Sequence, residues 1–235
     1  MKKNRAGLGG VFGGSGFVYC LSYDISRHHG LRRRPWWAGL FFFIAEAYMN
    51  KPLSEMTLEE LWELFPVVLS EHKDCWADWY EEEKLSIEAL LPDRNIRISH
   101  IGSTAVPRIW AKPIIDILIE LPPDASMADA KEILVSSGWI CMCMAETRIS
   151  LNKGYTSQGF AERVFHIHLR YAGDHDELYF RDYMAGHPAL AGEYERLKLS
   201  LWKKYEHDRD AYTDAKSAFV RKYTDLAKAE YGDRY

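Results

Sequence analysis

Apolar and polar residues alternate with two different periods along this chain, and the switches between them predict its architecture. From residue 73 to 91, Trp76, Trp79, Tyr80, Ile87, Leu90 and Leu91 recur at helical spacing and draw one apolar stripe. Upstream, Thr57 followed by Glu60 forms a capping box that opens the short helix TLEELWELF, which Pro66 terminates. Pro92-Asp93 closes the longer helix. Strand-like runs then take over. Residues 96–101 and 114–121 are dominated by isoleucine and leucine, and RVFHIHLRY at 163–171 alternates apolar with polar side chains. Between them Asp124 can cap a helix to about residue 137, which Gly138 ends as a C-terminal glycine does. Two strand-like pieces at 139–145 and 148–151 lead into a polar, turn-rich segment, NKGYTSQGFAER. Helical patterns return at 174–187, 189–205 and 210–231, separated by Pro188 and by HDRD. Helices, a mixed sheet and a helical C-terminal end make the expected class α+β.

The first 48 residues do not share these patterns. They hold half of the chain's 16 glycines, clustered in GLGGVFGGSG, and Arg32, Arg33 and Arg34 run into Pro35, Trp36 and Trp37. No Walker lysine follows the glycine cluster and no strand precedes it, so it is not a phosphate loop. Two regions are therefore expected. Residues 1–48 form a flexible or start-site extension, with Met49 as the true start, and 49–235 form one folded domain. The longest apolar run, residues 36–48, contains Glu46 and spans 13 residues, short of the ~20 a membrane helix needs. No membrane span is expected.

Charge sharpens this division. The net charge of −4 argues against a general nucleic-acid binder. Because residues 1–48 hold seven Lys/Arg against two acids, the remainder carries about −9. The four cysteines form no CxxC and are expected as apolar filler in a reducing cytosol, which makes the expected location cytoplasmic.

The chemistry is concentrated in IRISHIGSTAVPRIWAKPIIDILIEL, residues 96–121. A strand exits into Gly102-Ser103, and a second strand carries one carboxylate, Asp116. Glycine lets a backbone approach a phosphate, and Ser103 offers a hydroxyl near amide donors. A carboxylate in so apolar a strand must face a partner, a metal or water. A structural pairing with Lys112 accounts for it as well as function does. His166 and His168 project from one face of their strand. Such a pair can hold zinc with Asp116 as a third ligand, orient a phosphate, or carry a proton. A serine hydrolase built from Ser103, His168 and Asp116 lacks the GxSxG elbow. The basic residues of the C-terminal helices mostly mark amphipathic faces, and Arg181 and Lys216 are the ones expected to reach a phosphate chain. Lys153 and Tyr155 are similar candidates, whereas Glu81, Glu82 and Glu83 are expected to be a solvated face.

Taken together, HIGSTAVPRIWAKPIIDILIEL, LNKGYTSQGFAERVFHIHLR, LYFRDYMAGHP and YTDAKSAF resemble the GrpB family of the nucleotidyltransferase superfamily, over about residues 53–230. The resemblance implies a nucleotidyltransferase-like core in which helices flank a mixed β-sheet. It also implies a glycine-serine turn that seats phosphates beside acids that hold Mg²⁺. Gly102, Ser103 and Asp116 match that pattern. Leu118 stands where the second acid belongs, Glu120 lies about 7 Å further along the same face, and His168 takes the third acid's place. Two-metal phosphoryl transfer needs bridging carboxylates, so a single Mg²⁺ on Asp116 is the most this set supports.

The implied function is binding of a nucleotide or other phosphorylated small molecule, extending to nucleotidyl transfer with Mg²⁺. Asp116 and His168 would be catalytic, and Gly102, Ser103, Lys112, Arg181 and Lys216 would hold the phosphates. The alternative is a catalytically silent binding or assembly module with a protein partner, which the loss of an acid at Leu118 favours. A metal-dependent hydrolase using His166 and His168 ranks below both.

Overall fold

The computed structural model describes residues 51–91 and 95–235. The expectations for residues 1–48, and for Pro92-Asp93 as a helix stop, lie outside the described residues. Helix α1 (Leu58–Leu64) opens as its capping box predicts: the Glu60 amide donates to Thr57 Oγ1, and the Thr57 amide donates to the Glu60 carboxylate. Helix α2 (Cys75–Leu90) follows and buries Trp76, Tyr80 and Ile87. The third residue of the acidic run departs from expectation. Glu83 is buried and takes the Lys153 ammonium at 2.8 Å, because α2 turns this position toward the sheet.

Five strands form one mixed sheet in the order β1-β2-β5-β4-β3. They are β1 (Arg97–Ile101), β2 (Ile115–Leu121), β3 (Ile140–Met144), β4 (Arg148–Thr156) and β5 (Gly159–Tyr171). The central pair, β2 and β5, is parallel, and every other pair is antiparallel. Helix α3 (Met127–Ser136) connects β2 to β3. Its cap is Ser126, which accepts from the Asp129 amide, rather than the expected Asp124, while Gly138 at φ +94° ends the turn as predicted.

The segment expected to be polar loop, NKGYTSQGFAER, is instead a hairpin that extends β4 and β5. Its polarity misled because most of the hairpin lies toward the surface. Gly154, at φ +90°, sits at a register shift where any Cβ would collide with the Arg163 carbonyl. Thr156 then holds the turn through the Gln158 amide and the Gly159 carbonyl.

Strand alternation gives the sheet two unlike faces. On one, Ile115, Ile117, Ile119, Phe165, Ile167 and Leu169 pack on Trp76, Ile87, Ala130 and Leu134 of α2 and α3, which forms the main core. The other face presents Asp116, Leu118 and Glu120 beside His166, His168 and Arg170 in register. Helices α4 (Asp176–Gly186), α5 (Pro188–Trp202) and α6 (Arg209–Tyr231) form the helical C-terminal end. Pro188 stands at the first turn of α5, where its missing N–H costs nothing. The class is the expected α+β, a mixed sheet flanked by helices. No described helix is long and apolar enough to cross a membrane.

Candidate functional site

Strand β1 ends at Gly102, whose φ of +72° turns the chain into a short 3₁₀ segment, Ser103–Ala105. The glycine is required twice over. Few side chains tolerate that backbone, and a Cβ would overlap the Asp116 carboxylate. The predicted turn and the predicted acid therefore touch.

Asp116 lies opposite Ile101 on β1 and His166 on β5. One of its oxygens, Oδ1, sits 3.3 Å from both His166 Nδ1 and His168 Nε2. The histidines, rather than Lys112, are its hydrogen-bonding partners. Burial works to raise the Asp116 pKa, but hydrogen bonds and charge from His166 and His168 outweigh it, and the carboxyl is held well below the usual range. His166 goes the other way: burial lowers it to about 4 against the pull of Asp116, so it is neutral at physiological pH. With Nδ1–H donating to Asp116, His166 Nε2 accepts from the Tyr155 hydroxyl at 2.8 Å, and that hydroxyl's oxygen accepts from Arg209 at 3.0 Å. One tautomer satisfies all three bonds.

Helices α5 and α6 bring cations to the same place. Lys198, on α5, is 2% exposed; its ammonium donates to the Trp110 carbonyl and lies 4.8 Å from the Tyr194 ring. Lys216, on α6, sits 4.3 Å above Tyr212, and Lys112 approaches the same ring at 5.4 Å. Burial lowers Lys198 to about 7, with Lys216 adding repulsion, and lowers Lys216 to about 8. Lys112 falls well below its ordinary range through burial and the charges of Lys216 and Arg209. Among the described residues, no carboxylate forms an ion pair with Lys112, Lys198, Lys216 or Arg209. Two tyrosine hydroxyls complete the wall. Tyr194 is the hydrogen-bonding partner of Ser103, and the buried Tyr212 hydroxyl has no partner.

These groups line a cavity of about 750 Å³. Gly102, Ser103, Lys112, Asp116, His168 and Lys216 all face it, so the structure brings six of the seven predicted site residues together. Arg181 is the exception. Its guanidinium donates to the His100 carbonyl at 2.9 Å and to Asp182 at 2.6 Å, and it does not line the cavity. Lys153 is likewise committed, to Glu83, whereas Tyr155 joins the site. Leu61, Trp62, Phe65 and Met142 add apolar surface to the lining. Asp176, Glu177, Asp210 and Asp225 also border the cavity, with Asp176 paired to Lys228 and Glu177 to Arg170.

Lys198 and Tyr212 fall among the residues expected mostly to mark amphipathic helices, and Tyr194 and Arg209 are additions that the sequence reading does not contain. A signal was present. Tyr194–Lys198 and Tyr212–Lys216 are both Tyr-x-x-x-Lys, spaced to lay an ammonium on a ring within one helix.

The donor set does not suit Mg²⁺, which prefers several hard oxygens in octahedral array. Asp116 is the one acid at the centre, and both imidazoles already share its Oδ1. Leu118, at the second acid's position, is fully buried against Ile101 and Leu178. Ser150 and His168 pair at the third. Among the described residues, no three His, Cys, Asp or Glu side chains are disposed to share a metal ion.

A family model described as "GrpB protein" matches residues 66–226, more than half of the chain. The chain belongs to the GrpB family. Two relatives make the same point. The glutamate-rich protein GrpB of Alkalihalophilus pseudofirmus is 30% identical over 167 residues, covering 66% of this chain and 91% of its own. UPF0157 protein YqkA of Bacillus subtilis is 31% identical over 160 residues, and there the chain spans 46% of the relative's length. The crystal structure of GrpB from Enterococcus faecalis superposes with a TM-score of 0.61 at 28% identity, covering 70% of this chain and 99% of that one. In this family member the glycine-serine turn is set against a strand acid.

Proposed function

We infer that this GrpB-family chain binds a nucleotide or another phosphorylated small molecule in the cavity beside Asp116. One observation carries the inference: Lys112, Lys198 and Lys216, buried and without a carboxylate ion pair among the described residues, line one cavity with Arg209, a glycine-serine turn and Tyr212. Burial disfavours the charged form of these lysines, and a bound anion would restore it. A phosphate chain has the charge, and the apolar surface of Trp62 and Phe65 suits the uncharged body of such a ligand. Ser103 and the amides of its turn supply neutral donors for phosphate oxygens.

Nucleotidyl transfer is the finer version of this proposal. His168 and Asp116 stand together as groups that could take a proton from an attacking hydroxyl, although the acids that would hold Mg²⁺ are missing. That same lack favours the second reading, a binding or assembly module that turns nothing over. Thermal shift of the full chain against nucleoside mono-, di- and triphosphates and sugar phosphates tests the inference. A rise in Tm that Lys216→Ala abolishes is the expected result. No stabilisation by any of them would overturn it. A radiolabelled transfer assay on whichever ligand binds then separates the two versions.

A further inference from the structure

The cations around Tyr194 and Tyr212 allow a sharper statement, which rests on the phosphorylated-ligand reading. We propose that Lys112, Lys198 and Lys216 form a lysine cradle that holds a di- or triphosphate group without a divalent cation.

Three independent observations meet here. The first is the donor set. Leu118 removes one metal ligand, Ser150 and His168 occupy the place of another, and Asp116 gives one oxygen to two imidazoles while the other faces Gly102. The second is the construction of the lysines. Each packs on a ring or a carbonyl: Lys198 on Trp110 and Tyr194, and Lys112 and Lys216 both on Tyr212. Ammonium groups held this way lose little rotamer freedom on binding. They come from the β1–β2 connection, α5 and α6, so the cradle is a tertiary feature and not the charged face of one helix. The third is the Tyr212 hydroxyl, buried beside the cavity with no hydrogen-bond partner among the described residues, a donor that a phosphate oxygen would satisfy.

Physically, three lysines whose charge a bound anion restores can do what Mg²⁺ does for a phosphate chain at rest: spread its negative charge over several close donors. They cannot bridge an attacking and a leaving oxygen as paired metal ions do. The cradle therefore suits tight, metal-independent retention of a polyphosphate.

Isothermal titration calorimetry of the full chain with inorganic pyrophosphate and tripolyphosphate tests this, once in EDTA and once in excess Mg²⁺. The expected result is binding in EDTA that added Mg²⁺ leaves unchanged or weakens, because the metal neutralises the ligand's charge. Lys216→Gln, on the partly accessible side of the cradle, should weaken binding about tenfold, the loss of one charge-assisted hydrogen bond. Lys198→Met should do the same, with circular dichroism reporting whether the buried substitution folds. Binding seen only with Mg²⁺ would overturn the cradle while leaving the phosphorylated-ligand reading intact. Full affinity in Lys216→Gln would also overturn it. Absence of binding to these probes, and to every nucleotide and sugar phosphate, under both conditions would remove the underlying reading itself.

Discussion

Strand β2 carries two acids on one face, Asp116 and Glu120, and the molecule treats them in opposite ways. Glu120 is 2% exposed and saturated: Arg97 ion-pairs with one oxygen, while His175 at 2.9 Å and the Gly173 amide at 3.3 Å take the other. Asp116 is 27% exposed to the cavity, and its partners are two imidazoles, one held neutral by burial. Lys112 and Lys216 feel the charge of Asp116, which works against the burial that lowers them, but among the described residues neither forms an ion pair with it. Four residues along a strand thus separate a structural carboxylate from one that faces a cavity lined by lysines. The same comparison explains why Glu120 does not replace the acid missing at Leu118. It is fully engaged in holding β1, β2 and the approach to α4.

This contrast can be broken at either end. The largest effect should come from Glu120→Ala, which strands Arg97 and His175 and costs about 3 kcal/mol of stability, less if the half-exposed guanidinium resolvates. Urea unfolding should show that loss, with phosphate-ligand affinity unchanged in the folded protein. Gly102→Ala comes next. It forces a non-glycine residue into φ +72° and a methyl into the Asp116 carboxylate, for about 2 kcal/mol of strain. Unlike Glu120→Ala, it should also abolish ligand binding, because the turn and the acid separate.

A smaller effect follows from pH. Burial lowers His166 and His100 to about 4 from an ordinary 6.5. Between those values the unfolded chain binds protons that the folded chain refuses, so stability falls as pH drops from about 6.5 toward 4. Asp116 and Glu120 stay ionised across that window and do not reverse the sign. Tm measured along a pH series should decline over this range, and His166→Gln should flatten part of the slope. A flat profile in the parent chain would contradict the buried, neutral histidine.

Much of this contrast is legible before any coordinates. Gly102-Ser103 and Asp116 are local signals, a turn residue at a strand exit and a charge in an apolar strand, and alternation alone puts His166 and His168 on one face. Leu118 marks the broken acid pair just as directly. The rest depends on distance along the chain. Nothing near Lys198 says that it is buried under Trp110, 88 residues away, because a lysine on an amphipathic helix is ordinarily solvated. Arg181 misled for the same reason: its sequence neighbourhood is basic and aromatic, but packing commits it to the His100 carbonyl and to Asp182. The hairpin at 152–163 was hidden by its polarity, since a surface-facing strand need not look apolar.

The measurement that tests the central claim most directly is the affinity of Asp116→Asn for pyrophosphate in EDTA, compared with the parent chain. If the cavity is an anion site whose charge comes from lysines, removing the carboxylate beside the glycine-serine turn removes a repulsion, and binding should tighten by up to about tenfold. If Asp116 instead recruits a cation to hold the ligand, the parent chain should need Mg²⁺ to bind and the Asp116→Asn variant should not bind at all.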